Sequence, residues 1–311
     1  MNFDNSWRAL MRPGDASAYF DLLPREKFQV GASSYSEINA WWLAEISRLI
    51  YRQESDEIGS AARGPTRDQV LRSVGLREVT FINDAWTQCA VVRSMESAEA
   101  PFAILVFRGT QRPRDWLTDL EALPLGWQGK GIVHRGFGSA LLAVWKRIED
   151  CLDALDGPVF YTGHSLGAAL ATLAASRRPP HALYTFGSPR TGNREFAAAM
   201  RGMRAYRVVN NRDVVTAVPP SWSGFRHVGE LRYIARGSRT LQNPSRDTVA
   251  ADRRERSRAV PASPDTRRRF VDPPQMMADH APVNYVAHLE RAASLTSPSR
   301  PGPPSSSVPR R

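Results

Sequence analysis

The sequence predicts an α/β fold in which a mostly parallel central sheet carries helices on both faces. The segment PFAILVF at 101–107 is wholly apolar, which is typical of a strand buried on both faces. Beyond it, predicted helices and strands alternate, in the order 137–155 (helix), 158–163 (strand), 166–177 (helix), 182–187 (strand), 193–201 (helix) and 205–210 (strand). Because two parallel strands need a crossover connection, this alternation indicates parallel pairing.

Two helices are predicted before the first strand. Apolar residues recur at helical spacing from Tyr35 to about Arg52. A second, short helix is predicted after Pro65, where Thr66 and Gln69 have the spacing of a capping box.

Two further strand segments are predicted at the margins of the sheet. The period changes to two in EVTFIN and TQCAVVRS, which predict a hairpin with its turn at Asn83–Asp84. The segment FRHVGELRYI at 225–234 is predicted to return as an edge hairpin strand.

The pattern predicts one domain over residues 33–294. Residues 1–32 are an N-terminal segment to which we assign no structure. Residues 236–272 are rich in Arg, Ser, Pro and Asp with little to bury, so we expect a surface excursion or disorder there. The tail at 295–311 is rich in Pro and Ser and is expected to be disordered.

Charge and cysteine content exclude several classes of protein. The chain has 42 basic and 31 acidic residues, a net charge of +11, and 14 of the arginines lie in residues 236–311. The stretch 236–269 contains no aromatic residue, unlike nucleic-acid sites, so no nucleic-acid partner is expected. Two cysteines, Cys89 and Cys151, cannot form a dense disulfide framework and are expected to be free, buried thiols.

No targeting or membrane-spanning segment is evident in the sequence. The N-terminal segment lacks the basic start and apolar stretch of a secretory signal, and no apolar run approaches about 20 residues. A cytoplasmic location is the default expectation, with export by a route other than the general secretory one as the alternative.

The sequence GHSLG at 163–167 carries the first chemical signal. It fits G-x-S-x-G and lies where a predicted strand ends and a helix of small residues begins, the context of a nucleophile elbow. Gly163 and Gly167 permit the sharp turn, and Ser165 is placed at the helix N-terminus, where N–H groups favour an anion. The alternative for Ser165 is an ordinary helix N-cap.

A serine nucleophile needs a base and an orienting acid, which follow it in the order Ser, acid, His in this arrangement. Asp213 directly follows a predicted strand, although a turn-capping aspartate would look the same. Among the later histidines, His280 in a loop is favoured over His288 in a helical stretch, which we expect at the surface. His227 is interpreted as a packing residue inside a strand, and His181 precedes the acid.

The chain resembles the class 3 lipases, the fungal-type triacylglycerol lipase family of the α/β-hydrolase superfamily. The matching segments occur in the family's order: FRGT (107–110), DWLTDL (115–120), VHRGF (133–137), TGHSLGAALATLAA (162–175), YTFGSPRTGN (184–193), YRVVNNRDVVTAVPP (206–220), FRHVG (225–229) and DHAPVNY (279–285). The resemblance implies the α/β-hydrolase fold and a triad of Ser165, Asp213 and His280.

The resemblance also implies supporting residues. Thr110 and Leu166 would supply the N–H groups of an oxyanion hole, with His164 as a further supporting residue beside the serine. Asp119 would orient Thr110, unless it is an ordinary acid on a helix surface. Residues 111–127 would form a lid that contacts a lipid interface transiently, unless Trp116, Leu117 and Leu120 pack permanently.

The expected activity is hydrolysis of carboxylic esters of lipids through an acyl-enzyme, with no metal or organic cofactor. The expected partner is the lipid or other ester substrate, and the sequence identifies no protein partner. Short-chain or phospholipid-type carboxylesterase activity is the alternative within the same chemistry. A non-catalytic α/β-hydrolase scaffold is the alternative from another class.

Overall fold

The computed structural model describes eight stretches of the chain: residues 3–15, 18–20, 27–54, 64–84, 87–95, 100–110, 123–259 and 273–296. These stretches form an eight-stranded sheet, a separate two-stranded sheet, and helices around them. The predicted disordered tail at 295–311 lies outside the described residues from 297 onward.

The ten strands of the described residues are β1 (Leu76–Asp84), β2 (Thr87–Ser94), β3 (Ala103–Phe107), β4 (Pro124–Gly126), β5 (Ile132–His134), β6 (Val159–His164), β7 (Ala182–Phe186), β8 (Ala205–Asn210), β9 (Glu230–Ile234) and β10 (Thr240–Gln242). The large sheet has the order β1-β2-β3-β6-β7-β8-β9-β10. Pairing is parallel from β3 to β9 and antiparallel for β1, β2 and β10. The predicted mostly parallel sheet is confirmed.

The helices are α1 (Trp7–Met11), α2 (Glu37–Leu49), α3 (Arg67–Arg72), α4 (Arg135–Asp153), α5 (Leu166–Arg177), α6 (Arg194–Ala199), α7 (Arg246–Ala259), α8 (Gln275–Ala278) and α9 (Pro282–Thr296). No helix in the described ranges combines the length and apolar character that crossing a bilayer requires.

The core has two halves, one on each face of the sheet. All five residues of β3 are buried, and they alternate: Ile104 and Val106 join the cluster under α2 and α9, whereas Leu105 and Phe107 join the cluster under α4 and α5. This alternation follows from the two-residue period of a strand. Helices therefore cover both faces, as predicted.

The local sequence signals correspond to the observed ends of elements. Thr66 and Gln69 form both hydrogen bonds of the predicted capping box at the start of α3. The predicted turn at Asn83–Asp84 is wrong, because both residues still pair with β2 and the connection is formed by residues 85–86, which lie outside the described residues.

The prediction of an edge strand at 225–234 needs two corrections. The strand is shorter, since β9 begins at Glu230, and it lies inside the sheet, with β8 parallel on one side and β10 antiparallel on the other. The edge strand is therefore β10. The hairpin itself is present, because β9 and β10 are antiparallel neighbours.

The Arg-rich stretch is ordered over 236–259, where it forms β10 and α7 on the surface. Polar contacts attach α7 together with one apolar side chain, since Val249 packs against the small cluster around Tyr233. Asp252 accepts a hydrogen bond from the hydroxyl of Tyr233 at 2.8 Å, and Arg253 donates to the carbonyl oxygen of Asn211. Disorder is therefore the wrong alternative for 236–259, because these polar contacts order the helix without a large core. Residues 260–272 lie outside the described residues.

Candidate active site

The nucleophile turn, residues 163–167, connects β6 to α5. Ser165 has φ +60° and ψ −128°, a left-handed backbone conformation that a side chain rarely adopts. Its side chain makes no capping hydrogen bond to α5, so the N-cap alternative does not describe its side chain. The predicted turn from strand to helix is therefore present, with the serine at its tightest point.

The two glycines of the nucleophile turn are required by space. A Cβ on Gly163 would lie 2.4 Å from the carbonyl oxygen of Gly167. A Cβ on Gly167 would lie 2.2 Å from the carbonyl oxygen of Phe107 in β3. Both contacts are with backbone, which cannot swing aside as a side chain can. A larger residue at Gly167 would push the turn away from β3, and one at Gly163 would push β6 and the start of α5 apart.

Asp213 and His280 form a buried pair. Nδ1 of His280 lies 2.9 Å and 2.8 Å from the two carboxylate oxygens of Asp213, whose side chain is completely buried. The carboxylate also accepts the N–H of Val215 at 2.9 Å and the hydroxyl of Tyr285 at 2.6 Å. Asp213 thus caps a turn and holds His280 at once. The pairing keeps the proton on Nδ1 and leaves Nε2 of His280 as the acceptor.

Two buried polar atoms of the site have no hydrogen-bond partner among the described residues: Oγ of Ser165 and Nε2 of His280. They are the atoms between which a serine hydrolase transfers a proton. They are not hydrogen-bonded to each other here, and such contacts commonly tighten only when substrate binds. Both atoms are available for chemistry in a site that is otherwise well hydrogen-bonded.

His164, beside the serine, has a partner on each ring nitrogen. Nε2 donates to the carbonyl oxygen of His280 at 2.7 Å, and Nδ1 accepts from the hydroxyl of Tyr51 at 3.1 Å. Burial lowers the pKa of His164 well below its ordinary value, and the charge of His280 lowers it further. His164 is therefore a neutral connection between two chain segments and not a second base.

Tyr51 links this network to the end of β3. Its hydroxyl lies where a Cβ of Gly109 would be, at 2.1 Å, and it accepts a hydrogen bond from the backbone of Gly109. Burial raises the pKa of Tyr51 above its ordinary value. A phenol that stays protonated donates to His164 and accepts from Gly109 in one fixed arrangement. Tyr51 therefore holds the segment that leads to Thr110.

The predicted oxyanion residues lie on two sides of the serine. Leu166 is the first residue of α5, so its N–H has no carbonyl partner within the helix. Thr110 is half-buried and follows Gly109, whose added Cβ would lie 3.1 Å from the Cβ of Ser165. Their placement beside the serine fits the predicted role, which stays a prediction.

The predicted lid and its supporting acid fall mostly outside the described residues. Asp119, Trp116, Leu117 and Leu120 all lie in 111–122, of which nothing is described. Of the end of the predicted lid, 123–126 is exposed or half-buried, whereas Trp127 is buried in the core and donates to Ser176. Trp127 is therefore a core residue and not part of an interface.

The remaining histidines lie outside the triad, with two corrections. His288 was expected at the surface, but it is buried in α9 and pairs with Ser238 at 2.9 Å. His227 was expected inside a strand, but it lies in the loop before β9 and contacts the carbonyl oxygen of Thr216. His181 contacts Arg204. Both corrections arise from tertiary packing that the local pattern does not encode.

Sequence reasoning missed three residues of the site: Tyr51, Tyr285 and Gly187. Gly187 has φ +58°, and a Cβ there would lie 2.6 Å from Asp213 and 3.0 Å from the ring of His280. The signal for Tyr285 was present, since it ends the DHAPVNY segment. Gly187 likewise lies in the quoted segment YTFGSPRTGN, whereas Tyr51 could have been inferred only from the fold. In the described ranges, no three His, Cys, Asp or Glu side chains are grouped to hold a metal ion, and both cysteines are free, Cys89 buried and Cys151 half-buried.

Comparison with known proteins shows a similarity to one family over part of the chain. Residues 104–222 match the model of the family described as lipase (class 3). A lipase of Rhizomucor miehei is 34% identical over 167 residues, which are 48% of this chain and 46% of the relative. A chloroplastic phospholipase A(1) of Arabidopsis thaliana is 36% identical over 148 residues, which are 37% of this chain and 33% of the relative. The chain thus spans less than half of the length of either relative.

A solved structure shows the same similarity over more of the chain. The native propeptide complex of Rhizomucor miehei lipase superposes with a TM-score of 0.55 and 25% identity, covering 77% of this chain and 84% of that one. The fold of the described residues is the α/β-hydrolase fold of that structure. The chain is therefore similar to the class 3 lipases over residues 104–222, a region that contains the nucleophile turn and Asp213.

Proposed function

We propose that this protein is a serine hydrolase that cleaves carboxylic esters of lipids through an acyl-enzyme on Ser165. The observation that carries the proposal is the buried Asp213–His280 pair, with an unpartnered Nε2, in the same site as an unpartnered, strained Ser165. A polar constellation of this kind is costly to bury, so a chemical function explains it better than packing does.

The proposed reaction begins with proton transfer. Nε2 of His280 accepts the proton of Ser165 as Oγ attacks the carbonyl carbon of the ester. Asp213 stabilises the resulting imidazolium, and His280 then donates the proton to the departing alcohol. Water attacks the acyl-enzyme by the same route, releases the acid and restores the serine.

Negative charge develops on the former carbonyl oxygen during both steps. The N–H groups of Leu166 and Thr110 are the proposed donors to that oxygen, and each such donor contributes roughly 3–4 kcal/mol of transition-state stabilisation. The α5 N-terminus adds a favourable dipole at the same place. Leu166 is fixed by the helix, and Thr110 by the contact between Gly109 and Tyr51.

The names of the relatives support a lipid substrate. One relative is a lipase and the other a phospholipase A(1), and both names describe cleavage of acyl esters. We propose that the predicted lid, without the buried Trp127, contacts the lipid interface transiently. The proposed contact segment is therefore 111–126. A lipid acyl ester is the substrate class that these observations favour over short soluble esters.

The test is hydrolysis of nitrophenyl esters from acetate to palmitate by the wild type and by Ser165→Ala. The variant is expected to lose at least about 10³-fold in kcat, because its nucleophile is gone while binding is kept. An irreversible phosphonate ester should label the wild type at one residue and leave the variant unlabelled.

The substrate arm compares palmitate esters, triacylglycerol emulsion and phosphatidylcholine vesicles at matched acyl concentration. A higher kcat/KM for long chains supports the lipid assignment, whereas highest activity on acetate indicates a short-chain esterase. Release of fatty acid from phosphatidylcholine alone would favour the phospholipase reaction. Equal rates in wild type and variant on every substrate would contradict the hydrolase and favour a scaffold.

A further inference from the structure

A cavity of about 450 Å³ is lined by a cluster of arginines and by none of Ser165, Asp213 and His280. Its walls come from the loop after β8, the turn at 236–238, α7, α8 and α9. Four of the lining residues are arginines, namely Arg212, Arg236, Arg256 and Arg291. The volume falls in the range of about 300–1,000 Å³ typical of small-molecule sites. We refer to it as the arginine cavity.

No acidic side chain is among the lining residues described for the arginine cavity. The acids near the cavity already have partners. Asp279 accepts from the side chains of Asn211 and Gln275 and from the backbone N–H of Arg212. Asp252 accepts from the hydroxyl of Tyr233 at 2.8 Å and from the N–H of Arg236 at 2.9 Å. Glu255 lies 3.6 Å from Arg236, and both side chains are more than half exposed, so solvent screens this pair. The cavity therefore carries an excess of positive charge.

The arginine side chains differ in how firmly they are held. Arg256 is the most buried of the four: Nη2 donates to the carbonyl oxygen of Ile234 at 3.1 Å, and Nε lies 3.5 Å from Asp252 without a hydrogen bond. Arg212 donates to the carbonyl oxygen of Arg253 at 3.1 Å. These contacts fix the two guanidinium groups at the wall before any ligand arrives, which lowers the entropic cost of binding.

The lowered pKa of His288, at the floor of the arginine cavity, is consistent with the positive charge of its walls. His288 is buried there and its Nδ1 contacts the hydroxyl of Ser238 at 2.9 Å. Burial lowers the pKa of His288 to about 3, and the charges of Arg256 and Arg291 contribute to the shift. The cavity thus disfavours one more cation, and its floor offers neutral hydrogen-bonding groups instead.

We propose that the arginine cavity binds a phosphate-bearing ligand. Guanidinium groups match the geometry of phosphate oxygens and form bidentate, charge-assisted hydrogen bonds with them. Arg212, Arg236, Arg256 and Arg291 would surround the phosphate, and the apolar ring of Phe3, under Arg291 at 4.2 Å, would contact the organic part. The phosphate belongs either to a soluble phosphate ester or to the headgroup of an anionic lipid.

The position of the cavity connects it to the active site. The backbone N–H of Arg212 and the side chain of Gln275 both donate to Asp279, at 3.1 Å and 2.8 Å. Arg212 immediately precedes Asp213 in the chain, and Asp279 immediately precedes His280. A ligand that engages Arg212 therefore contacts the loop that holds the acid and base. Binding is measured without catalysis, so the inference does not depend on the proposed function.

The experiment uses the full chain with Ser165→Ala, so that no ester is consumed. Glycerol 3-phosphate is titrated by calorimetry, with glycerol as the ligand lacking phosphate. Vesicles of phosphatidylcholine, with and without phosphatidylglycerol, are tested by cosedimentation. Saturable binding of glycerol 3-phosphate indicates a soluble ligand, and binding only to phosphatidylglycerol vesicles indicates a headgroup.

The deciding variant is Arg236→Gln with Arg291→Gln, which removes two exposed arginines of the cavity. The matched control is Arg254→Gln with Arg258→Gln, which removes two exposed arginines of α7 that do not line the cavity. We expect the cavity variant to weaken binding by about tenfold or more and the control by less than about twofold. Equal loss in both variants, or no binding of either probe to the parent protein, overturns the proposal.

Discussion

The two halves of the active site are built by different means. In the nucleophile turn, backbone touches backbone, and Gly163 and Gly167 are there because a Cβ would collide with a carbonyl oxygen. In the acid–base loops, residues 211–215 and 279–285, hydrogen bonds hold the side chains: the hydroxyl of Tyr285, the N–H of Val215 and Nδ1 of His280 all donate to Asp213. The nucleophile turn therefore depends on close packing of backbone atoms, and the acid–base loops depend on hydrogen bonds between their polar groups.

This difference predicts that the two halves fail differently when changed. Loss of a hydrogen bond in the acid–base loops should leave the fold intact but change which ring nitrogen of His280 carries the proton. An added methyl group in the nucleophile turn displaces the main chain and so affects folding. Substitutions in the acid–base loops should therefore reduce activity more than stability, and substitutions in the nucleophile turn should reduce stability.

Asp213→Asn should cause the largest loss of activity. The amide is neutral and has one oxygen, so His280 no longer keeps its proton on Nδ1, and Nε2 ceases to be the acceptor for Ser165. We expect kcat to fall by about 10³–10⁴-fold with the melting temperature changed by only a few degrees. Ester hydrolysis and thermal unfolding of the same preparation measure both quantities.

Asp247→Asn is the matched control for this change, because Asp247 is an exposed acid in the first turn of α7, far along the chain from the site. Its activity should equal that of the wild type. If Asp213→Asn keeps more than about a tenth of the activity, Asp213 is mainly a turn cap and the description of the acid–base loops is incorrect.

Gly167→Ala should damage the fold before it damages the chemistry. The new Cβ would lie 2.2 Å from the carbonyl oxygen of Phe107 and 2.9 Å from the carbonyl carbon of Arg108. Relief requires movement of β3 or α5, which we expect to cost at least about 3 kcal/mol of unfolding free energy. Urea denaturation measures this loss.

Gly126→Ala provides the comparison, because a Cβ there meets nothing within 4 Å and its φ is not positive. The free energy of unfolding of Gly126→Ala should lie within about 0.5 kcal/mol of that of the wild type. A Gly167→Ala variant as stable as Gly126→Ala would show that the nucleophile turn has more space than its geometry indicates.

The contrast also explains how much of the site the sequence could predict. The nucleophile turn lies within five consecutive residues, so GHSLG and its strand-to-helix context were sufficient to place it. Strand alternation likewise predicted β3, β6, β7 and β8, since a buried parallel strand carries its own apolar signal.

The acid–base loops were predicted less completely because their contacts are long-range. Asp213 and His280 lie 67 positions apart and were selected by order along the chain, not by contact. Tyr51 lies 113 positions from His164 and has no local motif. His288 was expected at the surface because its partner Ser238 lies 50 positions away, outside the local sequence.

Tyr51→Phe tests whether the two halves communicate. The change removes the donor to Nδ1 of His164 and the acceptor for the N–H of Gly109, yet it keeps the ring. We expect kcat to fall about tenfold with KM nearly unchanged, because an oxyanion donor that is less well positioned affects the transition state more than the bound ester.

Tyr161→Phe is the control for this change. Tyr161 is a buried tyrosine of β6 that packs on the other face of the large sheet from Tyr51, and it makes no hydrogen bond within the described residues. Its activity should be unchanged. A rise in KM without a change in kcat for Tyr51→Phe would instead place Tyr51 in substrate binding.

His164→Gln should have the smallest effect on activity. Its effect should appear instead in how the free energy of unfolding depends on pH. An amide can donate to the carbonyl oxygen of His280 and accept from Tyr51, as the neutral ring does, so kcat at pH 8 should stay within about threefold. The pKa of the wild-type ring is lowered well below 6.5 by burial and then by His280. The native state therefore binds fewer protons than the unfolded state below about pH 6.5, and stability falls as pH falls.

The size of that pH effect follows from the same linkage. A single group contributes at most about 1.4 kcal/mol per pH unit, so the wild type should lose about 1 kcal/mol more than His164→Gln between pH 6.5 and 5.5. Burial also depresses the pKa of His227 and His288, but both remain in the variant and cancel in the difference. Urea denaturation at pH 7.5, 6.5 and 5.5 measures it. Parallel losses in both proteins would mean that burial does not lower the pKa of His164 in the native state, and the description of its ring as a neutral connection would be incorrect.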